Sequence, residues 1–315
     1  MNLAVIIPAF NEETTIANVI NEFRQNLPEA KIYVGDNNSQ DQTAKRAKEA
    51  GAEVLFYNRK GKGYNVRNLL ENIEADIYIL VDADETYNAS NVHALTEPVL
   101  QNKADMVIGV RKEASKKAFT FSHKIGNKIL TSVLNKIFKV KLKDVLSGYR
   151  VMNRDLVDDL ILLAKGFELE VELTIRALQE GFTIIDIPTE YRRRPKGSAS
   201  KLSTWGDGFL ILYTILTLFR DYNPMMFFLT LSLCFFIIGL VSGTNILIIF
   251  LLTGRMYHVG LAILTALSIL LSAFIFMMGL LLDSLNNSWR LTQTTIRQNR
   301  LLLNKMIDND SRSLR

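Results

Sequence analysis

Short apolar runs alternate with helical spacing over the first two hundred residues, and two long uncharged stretches follow. Residues 3–7 (Leu-Ala-Val-Ile-Ile) form an apolar run stopped by Pro8, and Ile16, Val19, Ile20 and Phe23 then recur at helical intervals. The same strand-then-helix pattern returns from Lys31 to Gly35 with a helix over 43–50 that Asp41 can cap, and from Glu53 to Tyr57 with a helix after Gly63. A fourth strand is predicted in the run that starts at Asp76 and breaks into Asp82-Ala83-Asp84. A fifth is predicted from Asp105 to Gly109, helices over 122–139 and 168–180, and a last strand from Thr183 to Ile187. This alternation predicts an α/β fold: a mixed, mainly parallel sheet with helices on both faces.

Residues 222–254 and 256–282 contain no Asp, Glu, Lys or Arg. Each exceeds the ~20 apolar residues that span a bilayer, so a two-helix transmembrane hairpin is expected. Basic residues flank the pair on its outer sides, Arg192, Arg193, Arg194 and Arg220 before it and Arg290, Arg297 and Arg300 after it, while Arg255 and His258 lie between. That asymmetry predicts cytoplasmic termini and an outward-facing hairpin. The expected organisation is a cytoplasmic catalytic domain over 1–203, an interfacial amphipathic helix over 204–222, two spans over 223–284, and a basic cytoplasmic tail over 285–315. Residues 1–8 read as a strand and carry no signal-peptide pattern.

The net charge of +5 suits anionic lipid at a cell membrane. No basic stripe interleaved with aromatics points to nucleic acid. One cysteine, Cys234, lies within the first span, so no intrachain disulfide can form. Homo-oligomerisation is left open.

The chemistry concentrates where strands end. Open α/β sheets bind ligands beyond the carboxyl ends of their strands. Asp82 and Asp84 sit at such an end, and their hard oxygens suit Mg²⁺ or Mn²⁺. A bland reading has them open a turn or cap a helix. Asp36 can accept a hydrogen bond from a base or ribose. Gly61 and Gly63 would let backbone approach a phosphate while Lys62 supplies charge, although a plain tight turn explains the glycines as well. Lys143–Arg150 reads as a polar wall, and residues 191–201 as a basic loop.

Five motifs, in order, carry a family resemblance: Pro8-Ala9-Phe10-Asn11-Glu12-Glu13, the Asp36 loop with Asp41 and Thr43, Asp82-Ala83-Asp84, Ser147-Gly148-Tyr149-Arg150, and Gly197-Ser198-Ala199-Ser200-Lys201. Together they resemble a family-two glycosyltransferase of the polyprenyl-phosphate branch. The resemblance implies a GT-A (Rossmann-like) fold, a nucleotide-sugar donor with a UDP-sugar favoured, a divalent metal, and a polyprenyl phosphate acceptor in the bilayer. It implies nucleotide contacts at Pro8, Ala9, Asn11, Glu12 and Asp36, Asp82 beside the ribose or metal, and Asp84 on the metal. Arg111, Arg194 and Lys201 would approach phosphates, with Lys62 and Ser198 nearby, and Asp144 would position Arg150 or the sugar. Thr86 departs from the Gln that some mannose synthases of this branch carry there. A GDP-mannose-using mannose synthase is the alternative within the branch; a processive polysaccharide synthase and a non-catalytic membrane scaffold are the alternatives outside it.

Overall fold

The computed structural model describes residues 1–113, 121–195 without 163 and 167, 213–255 without 214, 215, 218 and 222, and 259–313. The chain divides into two units, Met1–Ile211 and Leu212–Arg315.

The first unit is built on seven strands: β1 (Leu3–Ala9), β2 (Lys31–Asp36), β3 (Glu53–Phe56), β4 (Ile77–Leu80), β5 (Met106–Glu113), β6 (Arg150–Asn153) and β7 (Ile184–Tyr191). They lie in the order β3-β2-β1-β4-β6-β5-β7. β6 runs antiparallel to both neighbours, and the other pairs are parallel. The helices are α1 (Ile16–Asn26), α2 (Thr43–Glu49), α3 (Lys62–Asn72), α4 (Val92–Leu100), α5 (Phe121–Phe138), α6 (Arg154–Asp159) and α7 (Leu169–Gln179).

Alternation along β1 explains its continuous apolar run. Val5 and Ile7 enter one core with Ile16, Ile20 and Phe23 of α1. Ala4 and Ile6 enter the other with Val66 and Leu69 of α3 and Leu169 and Leu173 of α7. Both faces are covered, so every position must be apolar. Each fully buried Ile or Leu there contributes about 1.5–3 kcal/mol.

Several boundaries differ from expectation, each for a local reason. β1 does not stop at Pro8. The Val81 amide donates to the Ile6 carbonyl at 3.2 Å, after which β4 no longer pairs. Pro8, two residues on, turns its missing amide to that vacated side. β7 likewise runs through Pro188, because it is the last strand in the sheet and pairs with β5 alone. β6 was not anticipated: Arg-Val-Met-Asn offers only two apolar residues, and its antiparallel insertion follows no strand-then-helix unit.

In the second unit, α8 (Pro224–Thr253) and α9 (Val259–Ser313) form a helical hairpin. α8 ends at Gly254, whose φ of 65° is the left-handed cap that glycine favours. Pro224–Thr253 and Val259–Trp289 are each long and apolar enough to cross a membrane. Small residues close the helices together: Gly239 meets Ile269, and Gly279 meets Phe228. The Ser232 hydroxyl donates to the Ser272 carbonyl at 2.9 Å, and that of Thr265 to the Ser242 hydroxyl at 2.8 Å. Large apolar side chains such as Val241, Leu252, Leu270 and Leu281 face outward. α9 continues as helix through the region expected to be a tail. The interfacial segment expected over 204–222 lies largely outside the described residues.

Candidate active site

The loops after β1, β2 and β4 meet at the carboxyl edge of the sheet, as parallel pairing requires. Ala9 pairs with Asp36 at the last rung of β1 and β2. The two following loops are clasped: Asn11 N–H donates to the Ser39 hydroxyl (3.0 Å), Gln40 N–H to the Asn11 side-chain oxygen (2.8 Å), and Glu12 N–H to the Thr43 hydroxyl (2.8 Å). Asn11 takes φ 52°, a left-handed conformation that asparagine tolerates. Asp41 accepts from the Thr43 amide at 2.9 Å and the Glu13 amide at 3.2 Å, so it joins the start of α2 to the first loop. Asp36 is buried, and its Oδ2 accepts from the Ser39 amide at 3.3 Å. Its Oδ1 is buried with no hydrogen-bond partner among the described residues. A buried acceptor without a donor is costly, and a ligand N–H or O–H would relieve it.

Beyond β4 the chain turns sharply. Glu85 adopts φ 59°, a strained region for a glutamate, and the turn leaves Asp84 buried. Asp84 Oδ1 accepts from the Thr86 hydroxyl at 2.5 Å and the Thr86 amide at 3.2 Å. Arg194 donates to Asp84 Oδ2. Burial would pull the Arg194 guanidinium down, and Asp84 outweighs this and holds it above its ordinary value. Thr86 therefore orients Asp84, the position left open by its departure from glutamine. Glu12 is buried beside this turn; Thr15 donates to its Oε2 at 3.3 Å and to the Ala83 carbonyl at 2.7 Å.

At the end of β5, Arg111 grips Asp144 through Nε and Nη2, both at 2.7 Å, and through its backbone amide at 3.2 Å. Asn127 of α5 adds a bond of 2.9 Å. Burial would push the Asp144 carboxyl up, but the Arg111 hydrogen bonds win and hold it below its usual value. The Arg111 guanidinium also lies over the Tyr191 ring, 5.6 Å from its centroid. Asp144 thus holds Arg111, where Arg150 or the sugar was expected as its partner.

Two expected ligand contacts are placed elsewhere. Arg150 is fully buried and donates to the Ser147 and Val145 carbonyls and the Thr174 hydroxyl at 2.8–2.9 Å. Desolvation lowers it to about 10. It shapes the turn before β6 from inside the core. Lys62 is turned into the carboxylates of Asp82 and Glu170, at 2.5 Å from each, and Gly63 packs on the Ala164 backbone. Ser198 and Lys201 lie outside the described residues.

The sequence assigns no role to Tyr87, three residues past Asp84. Its hydroxyl accepts from the Gly148 amide at 2.8 Å, and its ring packs edge-on against Tyr149 and Tyr191. Arg192 N–H donates to the Thr86 carbonyl at 2.7 Å, which ties the end of β7 to the acidic turn. That pairing carries Arg194 to Asp84.

The residues fit a divalent cation completed by a substrate. Among the described residues no three His, Cys, Asp or Glu side chains converge on one point. Mg²⁺-like ions commonly take one or two carboxylates and the rest from phosphates and water. Asp84 already receives a cation, the Arg194 guanidinium, so its oxygens are placed for positive charge.

Comparison with known proteins agrees with this architecture. Glycosyltransferase AglJ of Haloferax volcanii is 32% identical over 228 residues, covering 72% of this chain and 75% of that protein. A dolichyl-phosphate hexose transferase of the same organism is 24% identical over 207 residues, covering 66% and 89%. The crystal structure of Mycobacterium tuberculosis glucosyl-3-phosphoglycerate synthase with Mn²⁺ and UDP-glucose superposes with a TM-score of 0.56 at 22% identity, over 70% of this chain and 78% of that one. Residues 4–161 match Glycosyl transferase family 2, and with the sheet order, the acidic turn and the relatives, the chain belongs to that family.

Proposed function

We propose that the protein transfers a sugar, with inversion, from a UDP-sugar to a polyprenyl phosphate, forming a lipid-phosphate-linked sugar. The observation that carries this reading is the engagement of three of the site's carboxylates: Asp82 with Lys62, Asp84 with Arg194 and Thr86, and Asp144 with Arg111. An alcohol acceptor needs a base, whereas a phosphate monoester, with a second pKa of ~6, is largely ionised at neutral pH. The phosphate oxygen attacks the anomeric carbon, the bond to the nucleoside diphosphate breaks, and no proton moves. Asp36 offers its unpaired oxygen to the base or ribose, with Pro8, Ala9, Asn11 and Glu12 forming the pocket around it. Arg111 and Arg194 stabilise phosphate charge that grows on the leaving group and is cancelled on the acceptor. Asp84, with Asp82 beside it, would hold a Mg²⁺ or Mn²⁺ ion, and that ion would supply further charge neutralisation. Ser198 and Lys201 are assigned to the same phosphates by motif alone.

The relative named as a dolichyl-phosphate hexose transferase supports the acceptor, and the UDP-glucose bound to the structural neighbour supports the donor. The two apolar helices suit an enzyme whose acceptor is lodged in a cell membrane. The test incubates membranes containing the protein with UDP-sugars, GDP-mannose and undecaprenyl phosphate, and reads the lipid product by mass. A sugar-phosphate-polyprenol from a UDP-sugar is expected. Product from GDP-mannose alone would reassign the donor, and a product lacking the phosphate-linked lipid would overturn the acceptor.

Orientation is tested separately. In a Cys234→Ala background, cysteines at Thr253 and Ser313 are expected to react with an impermeant maleimide from opposite sides of the membrane, Ser313 from the cytoplasm. Reaction of both from one side would refute a two-span hairpin.

A further inference from the structure

Asp82 is held from two directions, and both trace back to α7. Gly61 (φ 136°) opens α3, and the Gly63 amide donates to the Lys165 carbonyl at 3.2 Å, so the first turn of α3 is pressed against the segment that leads into α7. A Cβ at Gly61 would collide with that same carbonyl. Lys62 is thereby fixed between strand end and helix, with Nζ 2.5 Å from Asp82 Oδ1 and 2.5 Å from Glu170 Oε1. The Glu170 side chain is only 5% exposed. Burial alone would pull the Lys62 ammonium down, and the two carboxylates reverse this and raise it. One turn along α7, Thr174 receives Arg150, which shapes the Val145–Ser147 backbone. Gly148, next in that turn, lies against the Asp82 carboxylate where a side chain would collide.

A lysine on a four-carbon stem is a mobile point charge with three donors. Two of those donors are taken by carboxylates, the buried Glu170 and the partly exposed Asp82, which leaves Lys62 poorly suited to recruit a phosphate and well suited to fix Asp82. We propose that Lys62 and Glu170 are positioning residues of the transfer reaction: Glu170 anchors the ammonium to α7, and the ammonium fixes the Asp82 carboxylate at the donor pocket. This rests on the glycosyltransferase reading above.

Removing Lys62 alone leaves the buried Glu170 carboxylate uncompensated beside the partly exposed Asp82, a structural fault as well as a functional one. The Lys62→Met/Glu170→Gln double variant restores the local charge of −1 while removing the tether, so it separates the two effects. Full-length wild type, Lys62→Met, Lys62→Arg, Glu170→Gln and the double variant are compared in detergent for Tm, for UDP binding in Mn²⁺ by calorimetry, and for kcat and KM with UDP-glucose and undecaprenyl phosphate. The double variant is expected to regain most of the Tm lost by Lys62→Met, to bind UDP within about fivefold of wild type, and yet to lose about ten- to a hundredfold in kcat, since misplacement of a reacting-site group by ~1 Å costs on that order. Lys62→Arg is expected to recover part of that loss. A double variant with kcat within about threefold of wild type would overturn the inference, as would a rise in KM with kcat intact, which marks a direct donor ligand. If the double variant does not fold, Glu170→Gln decides: a several-fold fall in kcat at wild-type Tm is expected, and an unchanged kcat overturns the proposal. A wild-type chain that binds neither UDP nor GDP would instead overturn the underlying reading together with this one.

Discussion

Asp84→Ala is expected to abolish sugar transfer while the protein stays folded in detergent. Asp84 accepts from Arg194 and from the hydroxyl and amide of Thr86, so its removal frees a guanidinium and removes the proposed cation ligand beyond β4. The stability cost is modest, because the Arg194 side chain is 30% exposed and can turn to water. The catalytic cost is large. The departing nucleoside diphosphate gains charge in the transition state, and losing one preorganised partner of such charge costs about 10²–10³-fold. The checks are turnover, Tm, and Mn²⁺-dependent UDP binding. Full activity of Asp84→Ala in excess EDTA would remove the metal site from this protein.

Arg194 gives that variant a second meaning. Its guanidinium rests on the carboxylate that a divalent cation would use, and the backbone bond from Arg192 to Thr86 brings it there. The acidic turn and the basic segment that follows β7 are thus one unit, although more than a hundred positions separate them in sequence.

What was legible in the sequence follows the range of the forces involved. The strand-then-helix repeats were read because each strand is buried on both faces and bounded by turn residues, and the Asp82-Ala83-Asp84 turn was read because its chemistry is local. β6 escaped because its four residues gain their strand character from neighbours far away in the chain, β4 and β5. Arg150 was placed at the site surface by motif order, yet α7 packs over it and its guanidinium is spent on main-chain carbonyls. Lys62 was assigned to phosphate because the glycines around it resemble a cradle; nothing local announces that Glu170, far along the chain, shares its ammonium. Asp36, by contrast, is legible from position, since the residue that ends an inner parallel strand lies at the carboxyl edge of the sheet. Tyr87 had a signal, an aromatic beside the acidic turn, but only the fold shows that it links three loops.

Asp144→Asn is expected to lower kcat about ten- to a hundredfold without rescue at raised pH. In the native protein the carboxylate is bidentate to Arg111 and held below its ordinary value, so it is ionised throughout the neutral range. The sign follows: the pair stabilises the fold above the unfolded carboxylate pKa of ~3.9 and is lost only as pH falls through the still lower folded value. An amide keeps the shape and one acceptor oxygen but opposes its NH₂ to the guanidinium, so Arg111 loses one arm of its clamp. Misplacing a phosphate-binding arginine by ~1 Å costs up to about a hundredfold. Arg111→Met should reproduce the loss, because both variants act through the same guanidinium. The ratio of wild-type to variant kcat should stay flat between pH 6 and 9, since neither form uses Asp144 to remove a proton. If the activity of Asp144→Asn climbed toward wild type as pH rose, the acceptor would be losing a proton in the reaction, and an alcohol would replace the lipid phosphate as the nucleophile.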